Sequence, residues 1–355
     1  MFIVVKNFEY GLSKLITWQT EVIRMNIDRE FMVVTVLILV LIGFLTYNLV
    51  YLNRRNIQYP VYEPYTAPYN ESDYPISLEE AQNIAIDFLR NEVGVNTSIL
   101  VLKTVHGYRT RIAIKDGVII VDYKVKDWET GLASIYIDSS TGRVVFLLMT
   151  MNLYPSAPCL VTMPSKDSAK QFVREFLEKM GYTLGDGIDI DIEKVDVTMD
   201  LFIVFELRFY GYRVWNPRIG GGALEACITP NDTRYLAFSI PFEALRVYEL
   251  GLFIKPPGNL PISRVKASGI AVDYVKKRWK IAEYDYRCRG VYWYFKEIYN
   301  DNGRLVKDET GRTFYYPVPH LVYIFDFKIT PIHGSRFTKS IYVDAINGEV
   351  GVLSR

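Results

Sequence analysis

The chain has 355 residues, which exceeds the usual single domain of about 100–200 residues and indicates several folding units. Its 41 Lys and Arg residues against 40 Asp and Glu give a net charge of +1, which argues against a nucleic-acid partner. A hydrophobic content of 50% excludes a mainly disordered chain. Three histidines and three cysteines are a thin supply of catalytic and metal-binding groups, so the sequence predicts neither an enzyme nor a cofactor.

An uncharged, apolar run covers residues 31–53. As a helix it would extend roughly 34 Å, enough to cross a hydrocarbon core about 30 Å thick. We therefore predict a single transmembrane helix that anchors the chain in membrane lipid. Residues 1–30 are expected to be cytoplasmic or interfacial, and a start of translation at Met25 is an alternative.

The segment after the apolar run changes to tyrosine, proline and glutamate, so residues 54–75 are predicted to be an extended stalk. Charges flanking the apolar run are nearly balanced and decide little about orientation. Three glycosylation sequons, which start at Asn70, Asn96 and Asn231, favour a location of the large C-terminal part outside the cytoplasm, at the cell membrane.

Three helix starts share one pattern after the stalk. Each begins with a serine suited to cap the helix, at Ser77, Ser165 and Ser263. Apolar residues then follow in the same phase relative to each serine, as a stripe at helical spacing. The stripes are Ala81, Ile84, Ala85, Phe88 and Leu89; Ala169, Phe172, Val173, Phe176 and Leu177; and Ala267, Ile270, Ala271, Tyr274 and Val275.

Strand-like runs follow each helix, and two of the three sets end in a similar hairpin. In the first, Asp138 precedes Gly142 by four residues, and in the third, Asp344 precedes Gly348 by the same distance. The short acid can bond backbone N–H groups within the turn, and glycine tolerates a positive φ where the chain reverses. We therefore interpret these four residues as structural turn residues.

These helices and hairpins resemble the PepSY domain, which occurs in propeptides of secreted metallopeptidases and in membrane-anchored proteins of the YpeB type. The resemblance implies an α+β fold of three tandem units, at 76–158, 159–258 and 259–355, each with one helix on an antiparallel sheet. The middle unit lacks the Asp and the Gly of the hairpin. The resemblance further implies that the chain binds or inhibits another protein, often a peptidase.

Candidate partner-binding residues come from an aromatic run in the third unit, Tyr292, Trp293, Tyr294 and Phe295, although the same alternation also fills strand-rich cores. Residues 299–319, rich in charge and glycine, are expected to form a protruding hairpin. The acids at 186–193 alternate with isoleucines and predict a strand rather than a calcium site. Three cysteines allow at most one disulfide, and the sequence does not choose its pair.

The resulting hypothesis is a membrane-anchored, extracytoplasmic, non-catalytic binding or regulatory protein whose partner is a peptidase or another envelope protein. One alternative is a structural cell-envelope subunit that assembles as a homo-oligomer. Another is a hydrolase in which carboxylates such as Asp200 and Glu206 meet in a cleft.

Overall fold

The structure is a computed structural model that describes residues 38–42, 58–67, 75–115, 117–126, 131–150, 165–197, 200–229, 232–308 and 310–353. The chain divides into two compact units, Met1–Gln58 and Tyr59–Arg355. The second unit is an α+β fold with antiparallel sheets, as predicted.

Of the predicted transmembrane span, the structure describes residues 38–42, which are helical and exposed. The rest of 31–53, and all of 1–30, lie outside the described residues. Over the parts of the chain that are described, no helix combines the length and the apolar character needed to cross a bilayer.

The second unit contains three sets of one helix and four main strands, which we call the first, second and third modules. In the first module, α1 packs against β1, β2 and β3 of a four-stranded meander. Its elements are α1 Leu78–Phe88, β1 Leu100–Arg109, β2 Gly117–Val125, β3 Leu132–Asp138 and β4 Val144–Met149.

The second module repeats this order and adds three short elements. Its helix α2 packs on the edge strand β5. Its elements are α2 Lys166–Lys179, β5 Ile188–Asp196, β6 Leu201–Phe209, β7 Tyr212–Arg213, α3 Pro217–Gly220, β8 Gly221–Thr229, β9 Asp232–Ser239 and α4 Phe242–Glu249.

The third module has its own four-stranded antiparallel sheet, in the order β10–β11–β12–β13, and α5 contacts β11, β12 and β13. Its elements are α5 Arg264–Arg278, β10 Ile281–Tyr294, β11 His320–Pro331, β12 Phe337–Asp344 and β13 Val350–Val352.

The three predicted helix starts are all observed. The hydroxyl oxygens of Ser77, Ser165 and Ser263 each accept a hydrogen bond from the backbone N–H three residues on, at 3.1–3.3 Å. The small residues of each predicted stripe are buried, and their size lets the helix approach its sheet closely. They are Ala81 and Ala85, Ala169 and Val173, and Ala267 and Ala271.

The sheets of the first two modules join into one continuous sheet through their last strands. Phe146 of β4 pairs with Ser239 of β9, and Leu147 pairs with Phe238. The seam therefore consists of backbone pairing between two edge strands, which leaves β1 and β5 at the ends of the combined sheet.

The predicted turn residues occupy equivalent positions at the ends of β3 and β12. In the first module, Gly142 donates its N–H to the carbonyl of Asp138 at 2.9 Å, and its φ is 73°. Gly348 makes the same bond to Asp344 at 3.0 Å, with a φ of 81°. Both carboxylates also accept hydrogen bonds from donors inside their turns, so each fixes the reversal of its chain.

A second repeated pair lies in the strands before these turns. Ser134 donates its hydroxyl to Asp122 at 2.6 Å across β2 and β3, and Ser340 donates to Asp326 at 2.7 Å across β11 and β12. The two cross-strand pairs occupy matching register positions, so the first and third modules share both a helix phase and a polar ladder.

The aromatic run of the third module does not form an exposed patch, which corrects our assignment of it to a partner surface. Trp293 is 1% exposed and Phe295 is 2% exposed, and Tyr294 is also buried. The indole N–H of Trp293 donates to the carbonyl oxygen of Phe209 at 2.7 Å, and Phe253 meets the indole edge to face. The run therefore attaches β10 to the second module, and Tyr292 lies half-buried beside Trp215.

Residues 59–67 of the predicted stalk form neither helix nor strand, and they pack on the folded unit. Tyr59 donates its hydroxyl to Asp344 at 3.1 Å and accepts from the backbone N–H of Leu321 at 3.2 Å. Further along, Tyr65 donates its backbone N–H to the carbonyl of Ala113 at 2.7 Å. We call residues 59–67 the strap, because they connect the third module to the first.

Cys227 is disulfide-bonded, and Cys288 is a free thiol on β10. The partner of Cys227 lies outside the described residues. The acids of β5 point outward and form ion pairs, such as Asp189 with Lys170 at 2.5 Å, while Ile188 and Ile190 are buried. Within the described residues, no group of three potential ligands forms a metal site.

Candidate functional site

The insertion at 299–319 packs on the first module instead of protruding, which corrects the sequence expectation. Tyr315 forms a parallel bridge with Ile112 and donates its N–H to the carbonyl of Arg111 at 2.8 Å. Phe314 and Ala113 are both buried in a small separate core. The insertion thereby carries its charged side chains onto the end of β1.

Two adjoining cavities lie where the modules meet, and they share Tyr108 and Arg312 in their walls. We call the pair the junction groove. The larger cavity, of about 270 Å³, lies between the end of β1, the insertion and the strap. The smaller one, of about 130 Å³, lies over the seam between the first two modules. We call it the arginine pocket, lined by Arg111, Arg218, Arg312, Tyr108, Tyr136, Phe146, Ser239, Phe242 and Glu243, among others.

The aromatic wall of the arginine pocket crosses the continuous sheet. Tyr136 alternates with the buried Ile135 and Ile137 along β3, so its ring points to the opposite face of the sheet. The ring centroid of Tyr136 lies 4.4 Å from that of Phe146 and 6.3 Å from that of Tyr108. These rings form a rigid apolar row beside the seam.

Arg312 is held in place from two sides. Its Nε donates to the Asp308 carboxylate at 2.7 Å, and its guanidinium lies 4.1 Å from the centroid of the Tyr108 ring. Burial raises the pKa of Tyr108 to about 12, and the nearby Arg312 partly offsets that rise. The Tyr108 hydroxyl is therefore neutral and available as a donor at physiological pH.

Glu243 lies at the base of the arginine pocket, in the first turn of α4. Its side chain is buried, and one oxygen accepts the backbone N–H of Arg111 at 2.5 Å. Burial raises the pKa of this carboxyl, although the bond from Arg111 opposes the shift. Glu243 therefore fixes the chain that presents Arg111 to the pocket.

The guanidinium groups of Arg111 and Arg218 differ from that of Arg312. Arg218 is exposed on the short helix α3, whose cap residue Asn216 also donates to the Tyr315 hydroxyl at 3.4 Å. Among the described residues, Arg312 forms an ion pair with Asp308, whereas the guanidinium groups of Arg111 and Arg218 form none. Two cationic groups thus face one small cavity without a direct ion pair, although the charges of Arg111 and Arg312 act on the buried Glu243 carboxyl and oppose the rise in its pKa.

The carboxylates considered for a hydrolase do not converge. Glu206 forms an ion pair with Arg213 at 3.1 Å, whereas Asp200 hydrogen-bonds to Glu225. Asp200 and Glu206 lie six residues apart along β6 and the residue before it, or roughly 20 Å, so these two acids do not meet.

The arginine pocket was not predicted from the sequence, because its three arginines are separated by about a hundred residues each and occupy different modules. The predicted binding residues Tyr292–Phe295 lie elsewhere, in the contact between β10 and the second module. The observed site instead uses residues of the seam, of the insertion and of the turn after β1.

Comparison with known proteins found a likeness to a solved structure. No family model matches the chain, and no curated protein matches it. The chain is similar to the solved structure of the Bacillus megaterium YpeB C-terminal domain, at 14% sequence identity and a TM-score of 0.31. That match covers 79% of this chain and 99% of the other. A likeness of this strength assigns no partner or activity to this chain.

Proposed function

We propose that this chain is a non-catalytic binding and regulatory protein, held at the cell membrane by residues 31–53 with its large C-terminal part outside the cytoplasm. Its partner would be a peptidase or another protein of the cell envelope. We propose that the three modules are PepSY-type units arranged in tandem. The junction groove would be the surface that contacts this partner.

The observation that carries this proposal is the construction of the junction groove. All three modules and the strap contribute to its walls, and basic side chains exceed acidic ones. Aromatic rings and arginines are the side chains that most often dominate the energy of protein interfaces. A surface assembled from distant parts of a chain is also sensitive to their arrangement, which suits a regulatory protein.

The disulfide at Cys227 supports the proposed location. Disulfides persist in oxidising compartments outside the cytoplasm and are rare within it. The uncharged run at 31–53 and the sequon at Asn96, which is exposed before β1, are consistent with the same location.

Site-specific photo-crosslinking of the full chain in its native membrane tests the proposal. A benzophenone side chain replaces Lys307 at the wall of the larger cavity, and the same replacement at the exposed Lys277 of α5 is the matched control. We expect protein adducts from position 307 in clear excess over position 277, identified by mass spectrometry.

Equal adducts at both positions would contradict the proposal. Adducts between two copies of this chain would favour the alternative of a self-assembling structural subunit, which size-exclusion chromatography would then show as a large species.

A further inference from the structure

The arginine pocket has features of a site that binds an anionic group. We propose that Arg111 and Arg218 bind a carboxylate carried by an extended segment of the protein partner, with the aromatic wall receiving the stem of that segment. This inference rests on the proposed function, and it specifies the chemistry that the partner must present.

The unpaired guanidinium groups are the first argument. Arg111 and Arg218 face a cavity of about 130 Å³ and form no ion pair within the described part of the chain. The planar guanidinium donates two parallel hydrogen bonds to a carboxylate, which makes arginine well suited to this ligand. Both groups would gain a direct ion pair that the described part of the chain does not supply.

Glu243 does not fill that role, although it lies close by. Its oxygen accepts the backbone N–H of Arg111, and its side chain is buried beneath the cavity. Asp308 likewise pairs with Arg312 at 2.7 Å. The charges of Arg111 and Arg312 do act on Glu243, but three arginines line the pocket against this one acid, so the pocket keeps a net cationic surface.

The walls indicate which kind of carboxylate fits. The rings of Tyr136 and Phe146 and the hydroxyl of Ser239 border the same cavity as the arginines. A segment lying there would place a methylene stem on the rings and its acid between the guanidiniums. Either a side-chain carboxylate or a chain terminus supplies this chemistry, so the test separates them.

The test measures peptide binding to the purified full chain in detergent micelles by fluorescence anisotropy. One labelled peptide alternates Glu with Ala and has an amidated C-terminus. A second replaces each Glu by Gln, and a third is the Gln peptide with a free C-terminal carboxylate. We expect the Glu peptide, or the Gln peptide with a free terminus, to bind at least about tenfold more tightly than the amidated Gln peptide.

Substitution assigns the binding to the pocket. Because Arg218 is exposed, Arg218→Gln should preserve the fold while weakening the favoured peptide by about tenfold, and Arg218→Lys should retain part of the affinity. Arg287→Gln, an exposed arginine on β10, makes the same charge change elsewhere and should leave the affinity unchanged. Thermal unfolding of each variant checks that the fold is intact.

Three results would overturn the inference: equal affinity for all three peptides, equal loss in the Arg218→Gln and Arg287→Gln variants, or tighter binding of a phosphoserine peptide than of the Glu peptide. The proposed function fails separately. If the benzophenone side chain at position 307 yields protein adducts while the peptides do not bind, the binding role stands and the carboxylate assignment is wrong.

Discussion

The same building block is attached in two different ways within this molecule. The first and second modules share a sheet, in which backbone pairs such as Phe146 with Ser239 join them, and side-chain contacts such as Arg143 with Glu249 add to this seam. The third module keeps a separate sheet and is attached by isolated backbone bridges, such as Val214 with Trp293, and by buried side chains, above all Trp293 and Tyr59. Backbone pairing between strands tolerates most side chains. A contact made by a buried indole or a buried hydroxyl is lost when that side chain is replaced. The third module should therefore be the one that single substitutions can loosen.

The candidate site lies where these two attachments meet. Phe146 and Ser239 form a pair of the seam and also line the arginine pocket. Arg312 reaches the same pocket from the third module through its insertion. A change in the position of the third module would consequently alter the pocket while the seam stays intact.

The largest effect is expected for Trp293→Ala. The substitution removes a side chain that is 1% exposed, together with the bond from its indole N–H to Phe209, and it leaves a cavity between β10 and the second module. We expect a loss of about 3–5 kcal/mol in the free energy of unfolding, measured by chemical denaturation. Hydrogen exchange should rise in β10 and β11 more than in β6.

Ser239→Ala at the seam is the comparison for this variant. It removes a hydroxyl from a strand whose pairing uses the backbone, so its cost should stay within about 0.5 kcal/mol. A seam variant as costly as Trp293→Ala, or exchange that rises evenly through both sheets, would contradict the distinction between the two attachments.

Tyr59→Phe should have the next largest effect. The hydroxyl of Tyr59 donates to Asp344, which is fully buried, and accepts the backbone N–H of Leu321. Its removal takes one hydrogen-bond partner from the Asp344 carboxylate and one from the Leu321 N–H. We expect a loss of about 2 kcal/mol in the free energy of unfolding. Limited proteolysis should also cut the strap faster in this variant.

Tyr62→Phe is the matched control within the strap. Tyr62 is 36% exposed, so the loss of its hydroxyl should change the unfolding free energy by less than about 0.5 kcal/mol. Equal behaviour of the two variants would show that the strap does not hold the third module.

Sequence reasoning succeeded where the signal is local. The serine caps and the small residues of the helix stripes were predicted correctly, because N-capping and helical period depend on neighbours within one or two turns. The repeated Ser–Asp pairs that involve Asp122 and Asp326 were not predicted. Each of these acids lies two residues before a lysine in an apolar strand, Lys124 and Lys328. That shared spacing was a usable signal for the repeat.

Contacts between distant segments gave no such signal. Tyr59 and Asp344 are 285 residues apart, and proline spacing alone does not distinguish an extended stalk from a packed strap. Likewise, aromatic alternation around Trp293 describes a partner surface and a buried contact equally well. The seam pairs backbones, so no residue type marks it in the sequence.

The smallest expected effect is a pH dependence confined to the continuous sheet. Burial, and then the hydrogen bond and charge of Asp200, raise the pKa of Glu225 from 4.5 to about 7. The folded state therefore holds this proton more tightly than the unfolded state. The stability that this provides is fully present below pH 4.5 and is lost as the pH rises through about 7.

Glu225→Gln should flatten this part of the stability profile between about pH 5 and pH 7.5. Because the carboxyl is only partly shielded from solvent, the expected change is below about 1 kcal/mol. Asp200→Asn should flatten it too, because it removes the charge that opposes ionisation of Glu225. Glu283→Gln, the same change on the exposed face of β10, should leave the slope as it is, since it belongs to the other sheet. If Glu283→Gln flattened the profile as much as Glu225→Gln, the pH dependence would not belong to the carboxyl pair.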